Sequence, residues 1–207
     1  MRCEIASWRM NVPAAMHAHR IGENGRNPDS ISLRQQILLL AMHVGMTAEF
    51  ADTAEYSDDG RYRWWYERRW GPGPTLCWVG LNPSTGDTTG RPRPTLRKVV
   101  DRARGAGLDA VVVVNLFSYR ATDPHELKRR AALEDIVGVR TDEVVGEMSR
   151  RSQLTLAAWG AHGVLLGRGA AVTAVLHDPL CLGTTRRGEP RHPLYVPAHT
   201  PAVPYRR

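Results

Sequence analysis

The chain has 207 residues, 42% of them hydrophobic, enough for one good core plus an extension. Its 28 basic against 21 acidic residues leave a net charge of +7, which favours phosphate-bearing partners, although every basic residue except Lys98 and Lys128 is an arginine, a bias that genome composition alone produces. Cys3, Cys77 and Cys181 stand too far apart for a disulfide framework or a zinc or iron–sulfur site, no run of about 18 apolar residues could span a membrane, and the N-terminus lacks a signal-peptide pattern, so a cytoplasmic protein without metal or cofactor is expected.

Residues 1–55 read as an N-terminal arm. The first thirty scatter Asn, Gly, Pro and Arg without periodicity, and a helix is expected over 32–48, where Leu33, Ile37, Leu40 and Val44 recur near the helical period. His17, His19 and His43 lack the ligand set that a metal site needs.

An α/β domain is expected over residues 56–207. The aromatic and arginine alternation of 61–70, followed by Gly71-Pro72-Gly73-Pro74, suggests an edge strand or hairpin. A strand follows over 75–81. Residues 94–106 predict a helix with Leu96, Val99, Val100 and Ala103 on one face, closed by Gly105 and Gly107. The Val-rich stretch 109–116 reads as a buried parallel strand. Helices are expected over 124–132, capped by Thr122 or Asp123, and over 135–150; then come a strand over 154–159, a helix over 165–176 and a short strand over 180–183. This order predicts a three-layer α/β/α fold whose central sheet is mostly parallel and has about four strands.

Parallel strands deliver their C-terminal ends to one rim, where such folds bind ligands. Here those ends are distinctive: Gly80-Leu81-Asn82-Pro83-Ser84 after the first strand, Asn115 at the end of the second, Trp159-Gly160 after the third and His192-Pro193-Leu194 after the fourth. Gly80 permits close backbone approach, Pro83 stiffens the turn, and an Asn amide both donates and accepts. Gly167-Arg168-Gly169 lacks both the dinucleotide G-x-G-x-x-G pattern and a Walker ending, which argues against nucleoside triphosphate hydrolysis. Ser84 does not lie in a Gly-x-Ser-x-Gly elbow, which argues against a hydroxyl nucleophile.

Gly80-Leu81-Asn82-Pro83-Ser84 resembles the first motif of the uracil-DNA glycosylase superfamily, nearest to the Gly-Ile-Asn-Pro-Gly form of its mismatch-specific branch. Asn115 resembles a base-reading asparagine, Leu156-Ala157-Ala158-Trp159-Gly160 a Leu-Trp-Gly step, and His192-Pro193-Leu194 a His-Pro-Ser motif. More closely, Leu81-Asn82-Pro83-Ser84-Thr85, Val114-Asn115-Leu116-Phe117, Arg120-Ala121-Thr122-Asp123-Pro124, Ala158-Trp159-Gly160-Ala161-His162-Gly163 and Arg191-His192-Pro193-Leu194-Tyr195 resemble the DUF1643 family over about residues 61–205. The departures are Asn82 where the main uracil-removing branch has an aspartate, Ser84 in place of a glycine, and Arg93 where the DUF1643 pattern has an acidic residue.

The resemblance implies a uracil-DNA glycosylase-like fold and a hydrolase that excises an unusual or modified base by cleaving its N-glycosidic bond. Its catalytic residues would be Asn82, holding the water, and His192, donating to the departing base. Gly80, Leu81, Pro83, Ser84, Asn115, Phe117 and Trp159 would bind the substrate, with Phe117 or Tyr119 stacking on an extruded base. For a nucleic acid, the expected phosphate contacts on the basic rim would be Arg93, Arg97 and Lys98 near a helix start and Arg187 and Arg191 before His192. The partner is then DNA or a nucleotide. A non-catalytic nucleic-acid-binding module and an enzyme acting on free nucleosides or nucleotides are the alternatives.

Overall fold

The computed structural model describes residues 52–84, 94–121 and 123–206. The expected arm helix, the three arm histidines, Thr85, Arg93 and Thr122 lie outside these residues. Seven strands form one mixed sheet: β1 (Thr53–Tyr56), β2 (Arg63–Arg69), β3 (Thr75–Gly80), β4 (Ala110–Asn115), β5 (Leu154–Ala157), β6 (Pro179–Cys181) and β7 (Val203–Pro204), in the order β1-β2-β4-β3-β5-β6-β7. The helices are α1 (Pro94–Gly105), α2 (Pro124–Arg130), α3 (Thr141–Arg151) and α4 (Arg168–Thr173).

The sheet is larger than the expected four strands, and it is antiparallel at both margins. β4, β3, β5 and β6 run parallel to one another, whereas β2 joins β4, and β7 joins β6, in antiparallel fashion. β2 is neither an edge strand nor one arm of a hairpin with β3. The Gly-Pro-Gly-Pro turn instead carries the chain past the intervening β4, and the Asp109 carboxylate accepts from the Gly73 amide at 2.8 Å to hold that turn. Residues Thr53–Glu55, read as part of the arm, pair with β2 as the true edge.

Because β3 and β4 are apolar on both sides, they can bury both faces of the sheet. Leu76, Trp78, Val111 and Val113 join the α1 residues Leu96, Val99, Val100 and Ala103 in one core; Cys77, Val79, Val112 and Val114 join Leu127, Val144, Val145 and Val172 in the other. α1 therefore covers one face and α2, α3 and α4 pack on the opposite side.

Two expected helices are shorter than the sequence suggested. Residues 135–140 form turns, because the Asp135 carboxylate accepts from the amides of Val137 and Gly138 and so draws the backbone away from helix. The stretch expected as one helix over 165–176 is split: a 3-10 segment spans Ala161–Gly167, Leu166 and Gly167 take positive φ, and α4 starts only at Arg168. Arg168 is buried; its Nε donates to the Leu116 carbonyl at 3.1 Å and its guanidinium pairs with Asp142. The Gly-Arg-Gly turn is thus a brace between α4, α3 and the end of β4. At α2, Asp123 is the cap, accepting from the amides of His125 and Glu126 at 2.7 and 2.8 Å.

Candidate functional site

On the α1 side of the sheet, the C-terminal ends of β3, β4 and β5 open into a cleft of about 800 Å3. Its floor is Trp78, Gly80, Val113 and Asn115; Leu81, Asn82 and Ser84 form one wall, Thr95 and Leu96 from the start of α1 a second, and the turn from Trp159 to His162 a third. Thr185 and the segment Arg191, His192, Leu194 and Tyr195 complete the rim. Sequence-distant motifs thereby meet in one place, and the volume lies within the range of small-molecule and cofactor sites.

The register explains how two of these motifs cooperate. Gly80 is the β-ladder partner of Asn115, and a β-carbon at Gly80 would stand 2.9 Å from Asn115 Oδ1. Only glycine leaves room for that amide. Asn115 is 2% exposed, and its Nδ2 has no hydrogen-bond partner. Trp78 Nε1, Ser84 Oγ and Thr185 Oγ1 are also buried without a partner, and all of these residues line the same cleft. Buried polar atoms are nearly always satisfied in native proteins, so four such atoms on residues of one cleft set its lining apart from the rest of the core.

Asn82 is half-buried, and its Nδ2 donates to the carbonyls of Ala121 at 2.9 Å and Pro83 at 3.2 Å. Its N–H groups thus fasten the β3 turn to the loop after β4, leaving Oδ1 as the atom that can accept from water or ligand. Pro83 is buried, does not line the cleft, and accepts the Ala121 amide at 3.2 Å, so its role is to set the turn rather than to touch a substrate.

His192 caps the short 3-10 turn Pro193–Tyr195, its Nδ1 accepting from the Leu194 amide at 3.3 Å. That bond assigns the ring proton to Nε2, and burial pushes the imidazole below the usual histidine range, so the ring is a neutral Nε2–H donor at neutral pH. Gly160, at φ +77°, brings the β5 turn against this residue: a β-carbon there would stand 3.2 Å from His192 Cβ. Lys98 Nζ donates to the carbonyls of Leu194 at 3.0 Å and Val196 at 3.5 Å, and Arg102 donates to those of Pro197 and Thr200 at 2.6 and 2.8 Å, pinning the His192 segment to α1.

These bonds correct the expected phosphate contacts. Lys98 is a tether for the His192 segment. Arg97 and Arg187 are exposed but do not line the cleft, whereas Arg191 is exposed at its rim. Phe117 is fully buried in the core on the far side of the sheet, with the α2 and α3 residues, and Tyr119 donates to Glu134 at 3.3 Å away from the cleft, so neither ring is placed to stack on a base there. Trp159 does reach the cleft, yet its Nε1 donates to the fully buried Glu189 carboxylate at 2.6 Å, which locks the indole.

Arg63, Trp78, Thr185 and Glu189 were not among the expected site residues. Arg63 is placed by a β-bulge. Tyr56 pairs with Arg63 where regular register would place Trp64, so Trp64 and Trp65 both turn to the α3 side and Arg63 shares the α1 side with Tyr66. Its guanidinium lies 5.5 Å from the centre of the Tyr66 ring, with the residue 1% exposed and lining the cleft. Bulges commonly re-aim side chains in this way beside functional sites. Trp78 had a local signal, standing two residues before Gly80 and therefore on the same sheet face.

Among the described residues no cluster of three or more His, Cys, Asp or Glu could hold a metal, and no helix is long and apolar enough to cross a membrane. No curated protein and no solved structure matches the chain. The family described as protein of unknown function (DUF1643) matches residues 63–194, a span from the bulged Arg63 through the His192 turn that covers well over half of the sequence, and the chain therefore belongs to DUF1643.

Proposed function

We propose that this DUF1643 protein is a nucleobase-excising hydrolase that cleaves an N-glycosidic bond in the manner of DNA glycosylases. The observation that carries the reading is the convergence of Asn82, Asn115 and His192 on one cleft of about 800 Å3, large enough for a nucleotide. The order of the rim motifs, which resembles that of the uracil-DNA glycosylase superfamily, supports it by analogy.

Breaking an N-glycosidic bond builds positive charge on the sugar and negative charge on the leaving base, so the site needs a held water and a donor at the base more than a strong general base. Asn82 Oδ1 would accept from the water. As that water's oxygen bonds to the anomeric carbon, the C–N bond breaks with its electron pair leaving on the base. The His192 Nε2–H would donate to the developing anion, an interaction whose removal typically costs about 10² to 10³ in rate. Asn115 would hold the base. The proton released by the water passes to solvent, and the free base is the product.

A second reading, a nucleic-acid or nucleotide-binding module without chemistry, draws on two features. No carboxylate lines the cleft among the described residues, and the Asn82 N–H groups are already committed to Pro83 and Ala121. Incubation with DNA carrying uracil, mismatched thymine, hypoxanthine or modified pyrimidines, and with the matching free nucleotides, separates the two. Alkali-labile sites or released base, abolished in His192→Ala, support the hydrolase. Tight binding that survives both His192→Ala and Asn82→Ala, with no release on any substrate, supports the module.

A further inference from the structure

Besides imidazoles, three aromatic rings line the cleft among the described residues: Trp78, Trp159 and Tyr195. Trp78 is 8% exposed and Trp159 1%, the latter with its Nε1 fixed on Glu189, so both belong to the packed wall. Tyr195 is 80% exposed. Single apolar side chains scattered over an open surface need no explanation. This ring differs in standing at the mouth of a cleft, beside the partly exposed Leu194, on a backbone that other groups hold in place.

The Tyr195 amide donates to the His192 carbonyl at 3.0 Å to close the 3-10 turn. On either side of the residue Lys98 Nζ ties down the carbonyls of Leu194 and Val196, and Val196 is buried in the α1 core. The ring is thus presented on a fixed backbone, which lowers the ordering cost of a contact made through it. Its centre lies 5.7 Å from that of the His192 ring, with the planes at 48°. The two share one lip of the cleft, so one heterocycle can accept from the His192 Nε2–H and lie against the Tyr195 face, as flat rings do at centroid separations of about 4.5–7 Å. Arg191 is exposed on the same lip, its Nε donating to the Thr184 carbonyl at 3.3 Å, and no carboxylate lines the cleft among the described residues. That charge suits a ring carrying a phosphate and disfavours a cationic one.

We propose that Tyr195 is the stacking surface of this cleft and that the ligand it takes is a flat heterocycle bearing a phosphate, a nucleotide either free or within a strand. Tyr195 thereby takes the part expected of Phe117 or Tyr119. The proposal rests on the base-binding reading of the cleft and adds the residue that grips the face of the base.

The test is calorimetric titration of the whole chain with AMP, GMP, IMP, UMP and CMP, with ribose 5-phosphate as the ligand that lacks a base, and with a mixed-sequence oligodeoxynucleotide, single-stranded or in duplex. Tyr195→Ala should weaken the tightest of these by about tenfold, the loss of one stacked base, while Tyr195→Phe, which keeps the ring and drops the hydroxyl, should stay within about twofold. Tight binding of the mononucleotides identifies the ligand as a free nucleotide; binding of an oligomer far above them identifies it as part of a strand. If Tyr195→Ala binds as the unaltered chain does, or Tyr195→Phe is weakened as much as Tyr195→Ala, the stacking role is overturned while base binding stands. If no nucleotide or oligomer binds, or ribose 5-phosphate binds as tightly as the nucleotides, both fall. Should Tyr195→Ala not fold, as checked by circular dichroism, Tyr195→Leu, which keeps bulk but no flat face, is read in its place.

Discussion

Gly80 and Asn115 are ladder partners whose side-chain positions compete: where a β-carbon would project from Gly80, the Asn115 amide oxygen lies 2.9 Å away. The end of β4 can present its amide to the cleft because the end of β3 has no side chain. Gly80→Ala is expected to displace the Asn115 amide and to weaken ligand binding by about tenfold or more, with an overpacking cost of about 1–3 kcal/mol. Titration of the variant beside a melting curve checks this; unaltered affinity would contradict a reading role for Asn115.

Behind the cleft, Gly163 serves the Trp159–Glu189 pair. A β-carbon there would lie 2.3 Å from Trp159 Cδ1 and Nε1 and 2.4 Å from Glu189 Oε2, among rigid and fully buried groups that cannot yield cheaply. Gly163→Ala should destabilise the fold by about 1–3 kcal/mol, measured by denaturant unfolding.

The histidine at the rim predicts a pH signature. Burial lowers the folded pKa of His192 from its ordinary value of 6.5, so the unfolded chain takes up this proton first as pH falls. Its contribution to stability is therefore fully present above 6.5, declines as pH drops through that value, and levels off below the folded pKa. Protonation also removes the Nδ1 lone pair that accepts from Leu194. His192→Gln should flatten that part of the stability–pH profile, and a slope identical in the variant would show that the ring does not titrate as described.

Lys98 and Arg191 separate tether from rim. Lys98→Met removes donors to two backbone carbonyls and should cost about 0.5–1.5 kcal/mol while leaving the salt slope of any nucleic-acid binding unchanged. Arg191→Ala, at the exposed edge of the cleft, should reduce that slope by about 1 if a phosphate is engaged there. Binding measured across a salt series distinguishes the two.

Asp123 satisfies two amides at the start of α2, whose first residue, Pro124, lines the cleft. Asp123→Ala should lower stability by about 1 kcal/mol, readable from thermal melts.

Much of the architecture is written in short-range pattern. The 3.6 period of Leu96, Val99, Val100 and Ala103 makes one apolar helix face, the valines of β4 make a strand that needs cover on both sides, and Asp123 stops the backbone before α2. The motifs at the ends of β3, β4 and β5 are local as well, and parallel pairing brings them to one rim. Tertiary structure decided the rest. Whether Phe117 turns toward the cleft depends on which face the end of β4 shows to α1, and a strand apolar on both sides carries no alternation to reveal it. The bulge that turns Arg63 inward requires the pairing of β2 with β1, and Lys98 becomes a tether only because carbonyls almost a hundred residues later pass beside it. Such contacts arise from the closure of the whole chain around its sheet, and no window of neighbouring residues contains them.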